Sequence, residues 1–138
     1  MEPWGAAEAA HTGAGRAAIL AFLAACGIKA FFFDVMIAEG RSMLPVIKPG
    51  AVLLVNRAAY GLRLPGIGVY LLRWNAPQAG DVVVFYTPEG TAAVKRCVQA
   101  SGPGAFIALG DNRLESYDSR VYGPIPAGQV IGKVLGIK

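Results

Sequence analysis

Histidine is nearly missing from this chain. The one imidazole, His11, lies in a Gly/Ala-rich stretch ahead of the first apolar segment. A Ser-His-Asp or Cys-His machine therefore has no base in the part that should fold. Cysteine is almost as scarce: Cys26 falls inside the apolar N-terminal segment and Cys97 in a predicted strand. Such a pair makes no disulfide framework, since a bridge needs the two α-carbons within about 7 Å. Two cysteines and one histidine also fall short of the three or four ligands of a zinc site, so neither metal nor other cofactor is expected. Charge is sparse at 16%, and the net +4 comes from eleven Lys/Arg against seven Asp/Glu between Asp34 and Lys138. These cations are scattered among apolar runs rather than clustered with aromatics, which speaks against a nucleic-acid partner. There is no internal repeat.

Long apolar runs are missing too. The longest, AAILAFLAACGI over 17–28, has 12 residues, against about 20 for a bilayer core. Continued past Lys29 through Phe33 it reaches 17 residues, about 25 Å of helix, with Lys29 obliged to snorkel. A membrane anchor, a cleaved signal peptide and a buried core helix all remain open for this segment. A signal peptide wants a basic start, whereas Arg16 stands alone and is offset by Glu2 and Glu8. Arg16 and Lys29 flank the run symmetrically and give little orientation signal. Residues 1–16, small and without periodicity, read as a loose tail.

After Asp34 the pattern changes to short apolar runs bounded by Gly and Pro. Residues 35–38, 51–56, 81–86, 91–99, 105–109 and 129–137 read as strands. TPEG at 87–90 reads as a hairpin turn, and 61–68 and 73–80 as loops. Six short strands with no helical period between them predict a mainly β fold, a small sheet or barrel-like domain over 34–138.

Three stretches could carry chemistry: GRSMLP (40–45), VKRCV (94–98) and GDNRLESYDSRVYGPIP (110–126). Each has an ordinary reading. Ser42 can be a turn hydroxyl, Lys95 a solvent-facing strand residue, and Asp118 with Arg120 a surface ion pair worth under about 1 kcal/mol. Register counts against the second of these, because alternation places Lys95 on the face of Ala93, Cys97 and Gln99, and the first two are residues that pack inside.

Taken together and in this order, Gly-x-Ser-Met-x-Pro, a strand carrying Lys-Arg, and Gly-Asp-Asn-Arg-x-x-Ser-x-Asp-Ser-Arg-x-Tyr-Gly-x-Ile-Pro resemble the signal peptidase I family over about residues 35–138. The resemblance implies Ser42 as nucleophile, Lys95 as general base, and Ser116 as the hydroxyl that aims the lysine amine. It also implies Asp118 and Arg120 as a bracing ion pair, which Arg96 would join. The Ser42 N–H would face the oxyanion hole. Some members carry a serine two places before the nucleophile as a second donor; Gly40 stands there, so that donor is backbone or absent. The stretch between Lys95 and Gly110 is short for the family, a minimal version.

The same resemblance favours the anchor reading of 17–33. It places the β domain on the extracytoplasmic side of a cell membrane, in contact with the lipid bilayer, with translocation machinery as a possible partner. Signal peptides of preproteins would be the substrates, cut after a small-x-small site while lying extended between 35–38 and 91–94. A free lysine near pKa 10.4 is neutral in only about 0.04% of molecules at pH 7, so burial must lower it. The apolar neighbours and adjacent Arg96 are both expected to push that way. With no histidine in reach, a Ser–Lys pair is the one such device this chain can readily build. The rivals are a self-cleaving repressor-type protease, a peptidase dedicated to one pilus or conjugation substrate, and a catalytically silent, membrane-tethered peptide-binding β domain.

Overall fold

A computed structural model describes residues 5–64, 69–102 and 104–138. Residues 1–4 of the expected tail and 65–68 of an expected loop lie outside the described residues. The chain divides into two units, Met1–Ala30 and Phe31–Lys138.

The N-terminal helix α1 runs Gly5–Phe32, so most of the stretch expected as a tail is helical. Alanine explains the difference: it dominates 5–18 and is the strongest helix former, which outweighs three glycines. Ile19, Leu20, Phe22, Leu23 and Ile28 are all exposed. Among the described residues no helix is long and apolar enough to cross a membrane; the stretch 17–33, expected as an anchor, forms the second half of α1 and the first residue of β1. Five alanines dilute the apolar run, and Gly27 and Lys29 end it.

The second unit is mainly β, as expected. Its strands are β1 (Phe33–Ile37), β2 (Val52–Asn56), β3 (Gly61–Arg63), β4 (Tyr70–Arg73), β5 (Val82–Tyr86), β6 (Ala92–Ala100), β7 (Ala105–Leu109), β8 (Ile125–Pro126) and β9 (Val130–Ile137), with a one-turn helix α2 (Ser119–Tyr122). Seven of them form one antiparallel sheet in the order β1-β2-β9-β5-β6-β7-β8. Register shifts at Leu54/Val55, Val84/Phe85 and Cys97/Gln99 bend the strands and curl the sheet. The last of these also breaks the alternation expected along β6: Lys95 and Cys97 are buried, but Gln99 faces water. TPEG closes β5 onto β6 with Gly90 at φ 82°, a left-handed value that suits glycine.

Alternate residues feed different cores. Val83, Phe85, Cys97, Phe106, Ile125 and Val130 gather in one cluster, with Phe85 and Phe106 edge-to-face at 5.7 Å. Met43, Ile47, Leu53, Val55, Val84 and Ile131 gather in the other. Val83 and Phe85 thus pack on one side and Val84 on the other, as a strand with both faces covered requires.

The segment 61–68, read as a loop, begins with β3, and β4 covers 70–73, a stretch given no element in the sequence apart from Arg73 at the start of the second expected loop. β3 and β4 pair as a separate hairpin, pinned to the sheet where Arg63 NH1 and Tyr70 OH both donate to the Val130 carbonyl at 3.0 and 2.9 Å. A Cβ on Gly61 would collide with the Leu72 carbonyl oxygen and the Tyr70 ring, so only glycine lets the two strands approach.

Candidate active site

Ser42 lies in the β1–β2 connection. The Ala38 N–H donates to Ala51 O at 2.9 Å and the Gly50 N–H to Ala38 O at 2.6 Å, closing this loop at its neck. Met43 and Ile47 are buried beneath it, so apolar anchors on the C-terminal side of Ser42 hold the turn against the sheet. Lys95 sits within β6, flanked by β5 and β7, with only 6% of its surface exposed. Although 53 residues apart in sequence, Lys95 Nζ and Ser42 Oγ are hydrogen-bonded at 2.6 Å.

Burial lowers the Lys95 pKa below the ordinary lysine value, and the negative charge of Asp118 opposes it only in part. A neutral amine accepts the hydroxyl proton across a contact of this length, the geometry that proton abstraction requires. The expectation that Arg96 helps lower the amine is not met. Arg96 points away into a bidentate pair with Asp111, Nε to Oδ1 at 2.8 Å and NH2 to Oδ2 at 2.7 Å, and donates from NH1 to Gly80 O at 3.1 Å. Alternation sends neighbouring strand residues to opposite faces, so Arg96 braces the start of the 110–120 segment rather than joining Asp118 and Arg120.

Asp118 is fully buried beside the site. Burial by itself would raise its pKa. The Arg120 guanidinium, the Ser116 hydroxyl and the N–H groups of Gly110 and Arg120 outweigh that and hold the carboxyl well below the usual range. Arg120 Nε donates to Oδ1 at 2.8 Å and NH2 to Oδ2 at 3.0 Å. The same guanidinium reaches the carbonyls of Arg113 (2.8 Å) and Ser116 (3.2 Å), so one ion pair folds the whole segment back on itself. Asp118 also caps α2 through the Arg120 N–H.

Ser116 departs from expectation. Its buried hydroxyl oxygen makes no hydrogen bond of acceptable geometry, and Lys95 Nζ bonds Ser42 instead. Near enough to the Asp118 carboxylate to help keep it ionised, Ser116 packs on Gly110. A Cβ on Gly110 would collide with both the Ser116 side chain and the Ser42 carbonyl oxygen.

The sequence reading gave no roles to Gly110, Asp111 and Asn112, although they open the quoted motif. Asn112 N–H donates to Ser42 O at 2.9 Å and Asn112 Nδ2 to Arg41 O at 3.2 Å. The Gly110 N–H donates to Asp118 Oδ2 at 2.9 Å. The Ser42 backbone is therefore tied to the buried carboxylate through Gly110 and Asn112. Among the described residues no backbone acceptor takes the Ser42 N–H. Gly40 lines the same cleft, and a Cβ there would meet nothing within 4 Å.

The cleft holds about 400 Å³. One wall is the end of β1 with Met36, Ile37 and Ala38, the other the segment 91–94, with Ser42 and Lys95 between them. Of the expected strand 35–38, Val35 is instead directed to the outer face of the sheet, where it lines a shallow apolar groove with Val52, Leu54 and Ile137. β1 is a sheet edge, with main-chain groups free to pair with an added strand.

Comparison with known proteins matches the architecture. The chain is 24% identical to a signal peptidase I of Bacillus caldolyticus over 82% of its own length and 85% of that protein. It is 29% identical to a signal peptidase I of Pseudomonas aeruginosa over 79% of its length, but spans 37% of that larger protein. It is 30% identical to the mitochondrial ATP-independent inner membrane protease subunit 1b of Arabidopsis thaliana over 71% of its length and 65% of that protein. The model of the family described as signal peptidase, peptidase S26 matches residues 12–103 and 102–137, nearly the whole described chain, and the protein belongs to that peptidase family.

Proposed function

We propose that this protein is a serine endopeptidase that removes signal peptides from exported preproteins after a small-x-small site, with Ser42 as nucleophile and Lys95 as general base. The observation that carries the reading is the 2.6 Å contact between a serine hydroxyl and a buried lysine amine at the floor of a peptide-sized cleft. As Oγ attacks the scissile carbonyl, its proton passes to Nζ. The carbonyl oxygen becomes an oxyanion facing the Ser42 N–H, and the lysine returns its proton to the departing amine. Water, deprotonated by the same amine, then releases the acyl group and restores the serine. The substrate strand lies extended between the end of β1 and 91–94, pairing by main-chain bonds. Met36, Ala38 and Val94 are among the apolar side chains that line the cleft, a lining that suits small apolar substrate residues. Gly110, Asn112, Ser116, Asp118 and Arg120 hold Ser42 and its loop in place.

Work at a lipid surface is supported by two exposed apolar surfaces; the extracytoplasmic side is what the family resemblance implies. One is the run of Ile19, Leu20, Phe22 and Leu23 on α1, and the other the outer sheet face with Val35, Val52, Leu54 and Ile137. Each exceeds the scattered apolar residues of an ordinary soluble surface. A silent peptide-binding domain has no use for an unpaired buried amine against a hydroxyl, which disfavours that rival.

The test is incubation of the purified chain, and of Ser42→Ala, with a preprotein bearing an Ala-x-Ala site. A single cut after the second alanine by the wild type and none by the variant is expected. Wild type that leaves the preprotein intact, or a variant that cuts as well, overturns the assignment.

A further inference from the structure

The cleft has a charge that the hydrolysis itself does not use. Two ionisable side chains line it, Lys95 and Glu39. Lys95 is buried and shifted towards its neutral form. Glu39 is exposed, three residues ahead of the nucleophile on the same loop. Among the described residues no lysine or arginine forms an ion pair with Glu39. The nearest cation in sequence, Arg41, does not line the cleft, and its Nε is engaged by Glu115 Oε2 at 3.2 Å. The remaining walls, among them Met36, Ala38, Thr91 and Val94, carry no charge. The rim of the site is thus a single unneutralised carboxylate on a protein whose net charge is positive.

We propose that Glu39 is a specificity-determining residue that selects substrates with a lysine or arginine next to the scissile bond, at the middle position of the small-x-small site or the first position past the cut. This rests on the peptidase reading above. In an extended strand, alternate side chains point to opposite sides. When the two small residues enter the cleft, the residue between them and the one after the cut are directed out towards its rim, where Glu39 stands. A carboxylate and an ammonium about 4 Å apart in water attract enough for roughly a fivefold preference, and exchanging the lysine for a glutamate counts the effect again with opposite sign. Salt shortens the reach of such a field to about 8 Å at physiological strength, so the preference must fade as salt rises. An acidic residue at either substrate position would meet repulsion and be cut slowly.

The experiment measures kcat/KM on peptides with an Ala-x-Ala site carrying Lys, Ala or Glu at the middle position, and a second series varied at the first position past the cut. Full-length wild type, Glu39→Gln and Glu39→Lys are compared at low salt and in added sodium chloride. The Lys/Glu ratio is the readout, so a variant with less active protein does not mimic the result. Wild type should favour Lys over Glu by at least about fivefold in one series, with the ratio falling in salt. Glu39→Gln should bring it close to one, and Glu39→Lys should invert it. A flat wild-type ranking on peptides that are cut overturns this inference alone, as does a lysine preference that persists in Glu39→Gln. Wild type that cuts none of the peptides overturns both it and the peptidase reading.

Discussion

The two walls around Ser42 handle buried charge in opposite ways. β6 holds one amine with no counter-ion, and burial pushes it towards neutrality. The 110–120 segment holds carboxylates that are paired: Asp118 with Arg120 and two N–H groups, and Asp111 with Arg96. An unpaired buried group changes its protonation, whereas a paired one keeps its charge and fixes geometry. On the proposed peptidase reading one wall sets the chemistry and the other sets the aim, and variants of each should fail differently.

The largest effect is expected on the first wall. Lys95→Ala should lower kcat/KM by roughly 10²–10⁴-fold with the fold intact, read from single-turnover cleavage beside a thermal melt. Near-normal turnover would end the assignment of Lys95 as base. Next is the second wall. Asp118→Ala leaves a buried gap, frees the Gly110 N–H and releases the Arg120 guanidinium from its partner, so stability should fall, measurable by urea unfolding. Activity should fall with it, because the Ser42 carbonyl loses its support.

A smaller and oppositely signed effect separates the walls most cleanly. The folded state holds Lys95 below its ordinary value, so the unfolded chain binds that proton more tightly. Stability from this residue therefore rises as pH climbs from the depressed folded value to the unfolded one near 10.4, and at neutral pH the lysine is a burden. Lys95→Met should be inactive yet raise Tm at pH 7 by several degrees, with the gain shrinking towards pH 10. A variant less stable at pH 7 would mean the amine is charged and paired. Smallest of all, the exposed Arg41–Glu115 pair should contribute under about 1 kcal/mol in a double-mutant cycle.

Much of this was legible in the sequence. Gly- and Pro-bounded apolar runs marked the six principal strands because strand ends need those turns. Lys95 could be placed inside because Ala93 and Cys97 share its face. The expectation that Arg96 acts on Lys95 and joins Asp118 and Arg120 overlooked alternation, which sends it to the opposite face, and nothing in the sequence showed that the β6–β7 register, with Arg96 opposite Leu109, brings it to Asp111. The β3–β4 hairpin was missed because its anchoring is tertiary: Arg63 and Tyr70 share one carbonyl contributed by Val130, 60 or more residues away. The helical start at Gly5 was missed because a search for periodicity overlooks alanine, whose preference is intrinsic rather than amphipathic. Motif spacing conveyed that Ser116 belongs near the site, but not which atom it would touch.

The claim most exposed to direct measurement is the protonation of a single side chain. Following the ε-carbon resonance of Lys95 in labelled full-length protein, with Lys95→Met to identify the signal, gives its titration beside the pH dependence of kcat/KM. The account predicts a midpoint clearly below that of the other lysines, and a rate that rises with pH along the same curve. A Lys95 signal titrating with the rest near pH 10.4, or a rate indifferent to it, would contradict the account.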